Sequence, residues 1–416
     1  MASIGIAGGG IIGCAIAATL AARGHAVTLF EPDLAGLPAS AGNAGILAVP
    51  EVDPIARPDM LTQVPRWLID PLGPLTLRWR DLAALTPWLT AFLRSASPAR
   101  AAATRAALLG LMRRVEADHE ALSALAGMTD PLRATGALTL FDRDAGLETA
   151  FRHESKTARE LGFTLERLSP SEVRARIPAL DGRFAGGIVS SGYKTFRHPT
   201  TFLRALQTHV GRTATIVDEA VTAVRPEARA VALVSGDGAS HRFDKVVIAA
   251  GVWSRSLVRG LGLRVLLETE RGYNTTYATP PFELAMPIFF ADHGFVASPF
   301  EGALRIGGAV ELARPEAPPN FARARAMRTK MRRYVSALPE EGGIEWMGRR
   351  PSTPDSLPVI SLSPTDPRIA FAFGHGHLGL TLSATTGRLI ADLLDGNDPE
   401  TARGMAPFSL NRFQHG

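Results

Sequence analysis

The sequence predicts an α/β protein with a parallel sheet and two domains. The first observation is the unit at residues 4–31, where an apolar strand, a glycine turn, an alanine-rich helix and a second apolar strand follow one another. The second is the continuous apolar run Val246–Gly251, which is typical of a parallel strand buried on both faces. The third is the length of 416 residues, because single cores stop growing near about 300 residues.

The N-terminal unit predicts a dinucleotide site. Gly8, Gly10 and Gly13 fill the G-x-G-x-x-G spacing. In that pattern the first glycine permits the tight turn, the second lets the backbone approach a pyrophosphate, and the third lets the helix pack on the sheet. Glu31 ends the second strand, where a carboxylate binds a ribose and disfavours NADP, so FAD or NAD remains. The candidate cofactor contacts are Gly8, Gly9, Gly10, Ile11, Ile12, Gly13 and Glu31.

Composition excludes several classes of protein. The 45 basic and 40 acidic residues give a net charge of +5, and the basic residues are spread along the chain, so nucleic-acid binding has little support. The single cysteine, Cys14, excludes an internal disulfide framework and a thiolate zinc site, and we expect no metal. Since Cys14 follows the last motif glycine, we interpret it as a small packing residue.

Three regions raise the question of a membrane. Residues 1–22 carry no charge, but glycines interrupt them and no basic segment precedes them, so we expect a cytoplasmic protein without a signal peptide. The region from Trp67 to Phe92 interleaves aromatic residues with arginines, which suits peripheral contact with lipid headgroups or a helix pair of the substrate domain. The predicted basic helix at 321–338 suggests a solvated face, with an anionic membrane or acidic redox partner as the alternative.

The loop Ala39–Ile46 carries a family resemblance. Its small residues allow a close approach to a planar ring, although a surface turn is the alternative. The order G-x-G-x-x-G, acid, Ser-x-x-Asn-Ala-Gly resembles the FAD-dependent amine and amino-acid oxidoreductases, which include D-amino-acid oxidase and glycine oxidase, and most resembles the bacterial D-amino-acid dehydrogenases. In that family the backbone of this loop borders the flavin. The resemblance therefore implies flavin contacts at Gly42, Asn43, Ala44, Gly45 and Ile46.

A second match to this family lies near the C-terminus. Gly-His-Gly-x-Leu-Gly-x-Thr begins at Gly374, between a predicted strand and the N-terminus of a predicted helix. A helix N-terminus stabilises negative charge, which reduced flavin develops. The resemblance implies flavin contacts at Gly376, His377, Gly379, Leu380 and Thr381. His375 either orients the turn or acts near the substrate amine.

Other candidate residues follow from chemistry and resemblance together. In the family, the arginine immediately before a fixed proline binds the substrate carboxylate, which implies this role for Arg350, with Arg349 as the neighbour most easily confused with it. Tyr273 is predicted either to bind the carboxylate or to stand at the rim. His198, before Pro199, is predicted to cap a helix rather than to act in catalysis. Further cofactor contacts are implied at Val221, Ala250, Gly251 and Trp253.

The resemblance implies a discontinuous architecture. A Rossmann-type FAD-binding domain would comprise residues 1–48, 198–262 and 346–416, and an α+β substrate domain with a mixed sheet would comprise residues 49–197 and 263–345. The segment Tyr193–Arg197 departs from the family pattern. We expect noncovalent FAD, because the only thiol lies in the phosphate motif.

The implied reaction is oxidative deamination. A D-amino acid would bind with its carboxylate on Arg350, and hydride would pass from the α-carbon to flavin N5, leaving an imine that water converts to a 2-oxo acid and ammonia. The dehydrogenases that the chain most resembles hand electrons to membrane quinones, so the resemblance implies a quinone as the acceptor. The alternatives are an oxygen-using oxidase, an enzyme for a secondary amine such as sarcosine, proline or an opine, and a noncatalytic flavin-binding redox sensor or subunit.

Overall fold

The computed structural model describes residues 1–34, 36, 38–58, 75–280, 282–396 and 404–414. Its strands are β1 (Ser3–Ala7), β2 (Ala26–Phe30), β3 (Ile46–Ala48), β4 (Leu75–Leu77), β5 (Leu132–Arg133), β6 (Ala137–Phe141), β7 (Leu165–Leu168), β8 (Gly186–Ser190), β9 (Tyr193–Phe196), β10 (Thr215–Val217), β11 (Val221–Pro226), β12 (Val231–Ser235), β13 (Ser240–Phe243), β14 (Lys245–Ile248), β15 (Glu268–Tyr277), β16 (Ile288–Phe290), β17 (Phe295–Phe300), β18 (Ala303–Leu312), β19 (Ile344–Ser352), β20 (Val359–Leu362) and β21 (Ile369–Phe373). Its α-helices are α1 (Ile11–Ala22), α2 (Leu82–Ser95), α3 (Pro98–Leu125), α4 (Asp144–Leu161), α5 (Pro170–Arg176), α6 (Pro199–Thr213), α7 (Ser254–Gly260), α8 (Ala322–Met331) and α9 (Ser383–Asp395).

A six-stranded sheet collects strands from three distant stretches of the chain, in the order β10-β2-β1-β14-β21-β20. The first five run parallel, and β20 is antiparallel to β21. Helix α1 is almost wholly buried against this sheet, which explains its alanine-rich composition. Gly387 lets α9 approach α1 closely, since a Cβ there would lie 2.9 Å from the carbonyl oxygen of Ala15. The predicted α/β class is confirmed.

A second, mixed sheet of nine strands lies over the first, and we call it the roof sheet. Its order is β19-β15-β18-β17-β16-β6-β8-β7, with β4 beside β18. The pairs β16–β6 and β18–β4 are parallel and the others antiparallel. The predicted boundary at residue 346 falls inside β19, which pairs with β15, so the chain leaves the roof sheet only after Ser352.

A small three-stranded sheet, in the order β3-β9-β5, holds the segment that departed from the family pattern. Tyr193 pairs with Ala48, and Thr195 pairs with Ile46. The segment is therefore the central strand that supports β3, directly after the predicted flavin loop.

The predicted helix at 321–338 is shorter and less solvated than expected. Helix α8 ends at Met331, and two of its arginines are buried. The guanidinium of Arg323 donates to the carbonyl oxygen of Val310, and that of Arg328 donates to the carbonyl oxygen of Gly342. The prediction of a solvated face is wrong for these two side chains, because they satisfy carbonyl groups of neighbouring segments.

The aromatic region from Trp67 to Phe92 is described only in its second half, and Trp67 lies outside the described residues. Trp88 is buried in α2, donates from Nε1 to the carbonyl oxygen of Ser352 at 3.0 Å and stacks on Phe92. These two rings belong to a core cluster, as the helix-pair alternative predicts. None of the helices in the described ranges combines the length and apolar composition needed to cross a bilayer.

Candidate active site

A cavity of about 1010 Å³ lies between the six-stranded sheet and the roof sheet. It brings together the two ends of the chain and the middle segments. The predicted cofactor residues on its wall are Gly8, Gly10, Ile11, Ile12, Glu31, Gly42, Asn43, Ala44, Ile46, Val221, Ala250, Gly251, Trp253, Gly376, His377, Gly379, Leu380 and Thr381. The predicted catalytic residues Tyr273, Arg350 and His375 also lie on it. The cavity wall does not include three of the predicted contacts, Gly9, Gly13 and Gly45, although residues next to each of them in sequence do line it.

The glycine turn before α1 has the geometry of a phosphate cradle. Gly8 has φ +107°, and a Cβ there would lie 2.5 Å from the carbonyl oxygen of Ala249. A Cβ at Gly13 would lie 1.8 Å from the carbonyl oxygen of Gly8, so only glycine allows this contact between helix and strand. The first-turn amides of α1 have no intrahelical partner and open on the cavity. Glu31 accepts from the amide of Gly9 at 2.7 Å, which holds the carboxylate beside the turn.

Cys14 is a packing residue, as predicted. The thiol is buried and donates to the carbonyl oxygen of Gly9 at 3.1 Å. Burial raises the pKa of Cys14 to about 12, and the charge of Glu31 adds to the shift. The thiol therefore stays protonated and unreactive.

The predicted flavin loop is fixed from within and from the roof sheet. Within the loop, the Asn43 side chain accepts from the amide of Gly45 at 2.6 Å, and Gly45 has φ +64°. From the roof sheet, Arg305 donates to the carbonyl oxygen of Asn43 at 2.6 Å, and Asn274 donates to that of Gly42 at 2.9 Å. Burial lowers the pKa of Arg305 to about 10, so it remains charged at neutral pH. The loop backbone is therefore held in one position at the cavity wall.

The C-terminal glycine turn is fixed by His375. Its Nε2 is 2.9 Å from Oγ1 of Thr386 in α9, and burial lowers the pKa of His375 to about 3, so the ring is neutral. This bond supports the predicted turn-orienting role over a role at the substrate amine. Thr381 accepts from the amide of Ala48 at 3.1 Å, which ties the turn to β3.

His119 is a functional residue that the sequence interpretation missed. It is completely buried in α3, and its Nε2 lies 3.2 and 3.0 Å from the carbonyl oxygens of Leu380 and Thr381. Both partners accept, so Nε2 carries the proton, and burial lowers the pKa of His119 to about 4. The only sequence signal was its place four residues after Val115, on the buried face of the helix.

Replacing His119 with leucine is expected to loosen this turn. Two buried carbonyl groups lose a donor, which should lower the free energy of unfolding by about 1–3 kcal/mol and weaken FAD binding. Urea unfolding and FAD titration measure the two effects. His209→Leu is the control, since the His209 side chain makes no hydrogen bond with the described residues. Equal effects of the two substitutions would contradict the assignment.

Arg350 stands on the cavity wall, and no described residue is hydrogen-bonded to its guanidinium. Its guanidinium lies flat on the backbone of Gly272 in β15, where a Cβ would come within 2.4 Å of Nη2. Throughout the described chain, no residue forms a hydrogen bond or ion pair with it, and burial lowers its pKa while Glu270 opposes that shift. Arg349 also reaches the wall, but its Nε donates to the carbonyl oxygen of Pro315 at 2.8 Å. Arg350 is therefore the arginine available to an anion.

Tyr273 is a residue of the cavity wall, but its hydroxyl is hydrogen-bonded to other residues of the protein. Its side chain is 1% exposed, and its hydroxyl donates to Glu311 at 2.5 Å and accepts from the amide of Asn320 at 3.0 Å. Alternation along β15 places Gly272 and Asn274 toward the cavity and the Tyr273 ring in the core behind it. The engaged hydroxyl and the buried ring disfavour both the carboxylate contact and the rim position.

His198 caps α6, as predicted. Its Nδ1 accepts from the amide of Thr200 at 3.3 Å. The residue lies outside the cavity wall, so the structure gives it no catalytic contact.

Trp346 is a further wall residue that the sequence did not single out. Its indole lies against two backbones, since a Cβ at Gly42 would lie 1.9 Å from it and a Cβ at Gly348 would lie 2.1 Å from it. Only glycine fits at these two positions, because a Cβ at either one would collide with the indole ring. Trp346 closes the cavity between the flavin loop and the roof sheet.

The wall residues fit a flavin dinucleotide. The phosphate cradle admits no side chain at Gly8 or Gly13, whereas a Cβ at Gly10 would meet no protein atom within 4 Å. Buried polar atoms without a partner lie on other wall residues, at Oδ1 of Asn274 and Oγ of Ser298. Such atoms are expected where a polar ligand completes the hydrogen bonds. In the described part of the chain, no group of three His, Cys, Asp or Glu side chains could hold a metal ion.

The fold and the cavity define the class of dinucleotide-binding α/β oxidoreductases, with a parallel sheet under a mixed roof sheet. The chain belongs to the DAO family of FAD-dependent oxidoreductases, whose model matches residues 3–393. It is therefore an enzyme that uses FAD, as the resemblance implied.

Relatives and solved structures extend over nearly the whole chain. A D-amino-acid oxidase from Bradyrhizobium diazoefficiens is 34% identical over 99% of this chain and 98% of its own length. A D-amino acid dehydrogenase from Paramagnetospirillum magneticum is 31% identical over 98% of each. The crystal structure of glycine oxidase from Geobacillus kaustophilus superposes with a TM-score of 0.77 at 23% identity, over 99% of this chain and 98% of that one, which shows the fold.

Proposed function

We propose that this enzyme oxidatively deaminates D-amino acids to 2-oxo acids and ammonia and passes the electrons to a quinone. The observation that carries the proposal is the guanidinium of Arg350, which lies on the wall of the FAD cavity with no partner in the described chain. A half-buried guanidinium of this kind binds a carboxylate through paired charge-assisted hydrogen bonds. Relatives named for D-amino acids, at 34% and 31% identity, support the choice of substrate.

The protein's part in the reaction is to bind and orient. Arg350 would hold the carboxylate, and the absence of a side chain at Gly272 leaves room for the guanidinium itself. Bound FAD supplies the two-electron acceptor. The ring of His375 is neutral and engaged with Thr386, so the wall offers positioning rather than a strong base at this point. His377 lies close enough to Arg350 that the guanidinium adds to the lowering of its pKa, which keeps that ring neutral too.

The substrate class is tested by flavin reduction under argon. We expect D-amino acids to bleach the yellow oxidised flavin, because Arg350 fixes the carboxylate on one side of the α-carbon. Their L-enantiomers, sarcosine, proline and opine-type amines should bleach it much more slowly. If a secondary amine bleached the flavin faster than D-amino acids do, the secondary amine would be the substrate. If no amine bleached it, the protein would be a noncatalytic flavin-binding subunit.

An oxygen-using oxidase is the second candidate for the acceptor, because the relative at 34% identity is named an oxidase. The rates at which air and a soluble quinone analogue reoxidise the reduced enzyme distinguish an oxidase from a quinone-dependent dehydrogenase. We expect fast reoxidation by the quinone and little peroxide in air. A quinone acceptor would place the cytoplasmic enzyme at a membrane surface, which co-sedimentation with anionic vesicles tests.

A further inference from the structure

The FAD cavity has a second polar position on its wall, away from Arg350. Glu51 lies in the turn after β3, where its amide donates to the carbonyl oxygen of Ala48 at 3.1 Å. The residue is on the cavity wall, and the hydroxyl of Tyr193 donates to its Oε1 at 3.1 Å. Neither residue was singled out by the sequence motifs.

An apolar surface adjoins this carboxyl group. Ile46 and Ala48 of β3 face Phe289 of β16 and Val296 of β17, and all four line the cavity. The ring of Tyr193 packs on Phe289 with centroids 5.2 Å apart. A hydrocarbon chain that lies along this surface would end beside Glu51.

The roof sheet sets the distance between the two polar positions. The guanidinium of Arg350 lies over β15, and the sheet then continues through β18 and β17 to β16. Neighbouring strands are about 4.8 Å apart, so three steps span about 14 Å. Gly307 and Gly308 of β18 line this path and leave it open. An amino acid bound by its carboxylate would need a long, extended side chain to reach Glu51.

The positive charge of Arg57 acts on the carboxyl group of Glu51, but the two side chains form no ion pair with each other in the described part of the chain. Among described residues, none forms an ion pair with Glu51, whereas neighbouring Asp53 is paired with both Arg105 and His153. Burial raises the pKa of Glu51 and the charge of Asp53 adds to the shift, and together they outweigh the hydrogen bond from Tyr193 and the charge of Arg57. A carboxylate removed from water is unfavourable unless charges and hydrogen bonds compensate it. A cationic ligand group in the cavity would add to this compensation.

We propose that Glu51, oriented by Tyr193, binds the cationic end of the substrate side chain, so that the enzyme prefers D-amino acids with long basic side chains. The methylene stem of such a side chain would lie on Ile46, Ala48, Phe289 and Val296, and its charged head would meet Glu51. This specificity rests on the proposed function, since Arg350 must hold the other end. It identifies the substrate class as D-arginine and D-lysine, rather than neutral residues of the same length.

The test compares D-amino acids with and without a cationic group at the end of a side chain of similar length. The ratio of kcat/KM for D-arginine over D-citrulline, and for D-lysine over D-norleucine, is expected to be about 10- to 150-fold in the wild-type holoenzyme, the range for a hydrogen bond to a charged group. Glu51→Gln keeps the shape and an acceptor for Tyr193, and should bring both ratios close to one. Glu154→Gln is the matched control, because Glu154 is a neighbouring acid outside the cavity wall, and it should keep the wild-type ratios.

Three results would overturn the proposal: wild-type ratios near one, ratios that survive Glu51→Gln, or equal losses in the Glu51 and Glu154 variants. The first needs no variant, so poor folding of a mutant cannot hide a failure. FAD content and melting temperature of each variant are measured alongside. Failure of the proposed function looks different, since neither the charged nor the neutral D-amino acids would then reduce the flavin.

Discussion

Replacing Arg350 with alanine is expected to lower kcat/KM for a D-amino acid by about 30- to 5000-fold while FAD stays bound. The estimate corresponds to about 2–5 kcal/mol, the usual loss when one partner of a buried, hydrogen-bonded charge pair is removed. FAD should remain because Arg350 touches the roof side of the cavity and not the phosphate cradle. Steady-state kinetics and the flavin absorbance of the purified variant measure the two effects.

Two further variants control this result. Arg349→Ala removes a neighbouring guanidinium that already donates to Pro315, so it should cost far less activity than Arg350→Ala. Gly272→Ala keeps Arg350 but places a Cβ within 2.4 Å of its Nη2, so it should displace the guanidinium and reproduce part of the loss. Unchanged kinetics for Arg350→Ala would contradict the carboxylate assignment.

Gly10→Ala is expected to weaken FAD binding by about 10- to 150-fold without destabilising the apoprotein. Gly10 has φ −67°, which alanine adopts without strain, and its Cβ would meet no protein atom within 4 Å. The added methyl group would, however, project from the turn that should contact the pyrophosphate. Loss of one charge-assisted hydrogen bond gives the stated range. FAD titration of the apoprotein and its thermal unfolding separate affinity from stability.

Other glycines of the chain show whether the effect is specific. Gly110→Ala in α3 also adds a methyl group in open space, but away from the cavity, and should leave FAD affinity unchanged. Gly13→Ala should instead destabilise the apoprotein itself, because its Cβ would lie 1.8 Å from the carbonyl oxygen of Gly8. If Gly10→Ala bound FAD as tightly as the wild type, the cradle would not hold the pyrophosphate.

The sequence could predict the parts of the site that depend on local conformation. The glycine spacing at Gly8 and Gly13 encodes a turn and a close helix contact, and both are present. His198 before proline predicted a helix cap for the same reason, since the capping bond spans only two residues. Such features depend on residues that are close in sequence, so they can be predicted without knowing which distant segments are in contact.

The errors arose where the face of a strand or a distant contact decides the outcome. Alternation predicted a strand at β15, but it could not show that the hydroxyl of Tyr273 is engaged by Glu311. His119 acts through carbonyl groups that are 261 and 262 residues away in sequence. Glu51 reaches the cavity because β3 pairs with β9, a contact that no local pattern indicates.

The boundary predicted at residue 346 meets a related difficulty, because it falls inside β19. The stretch that contains Arg350 carries a family motif of the flavin site, which suggested the FAD-binding domain. The motif in fact lies on β19 of the roof sheet, and its arginine reaches the cavity from above. A residue predicted for the flavin site therefore lies on the sheet that forms the other side of the cavity.

The central claim is that the two ends of the chain hold FAD beside a guanidinium that binds the carboxylate of an amino acid. The most direct measurement compares flavin reduction under argon by the best D-amino acid and by its methyl ester, which keeps the amine and the α-hydrogen but lacks the negative charge. The account predicts rapid bleaching by the acid and a rate lower by at least about 30-fold for the ester. Equal rates for acid and ester would contradict it.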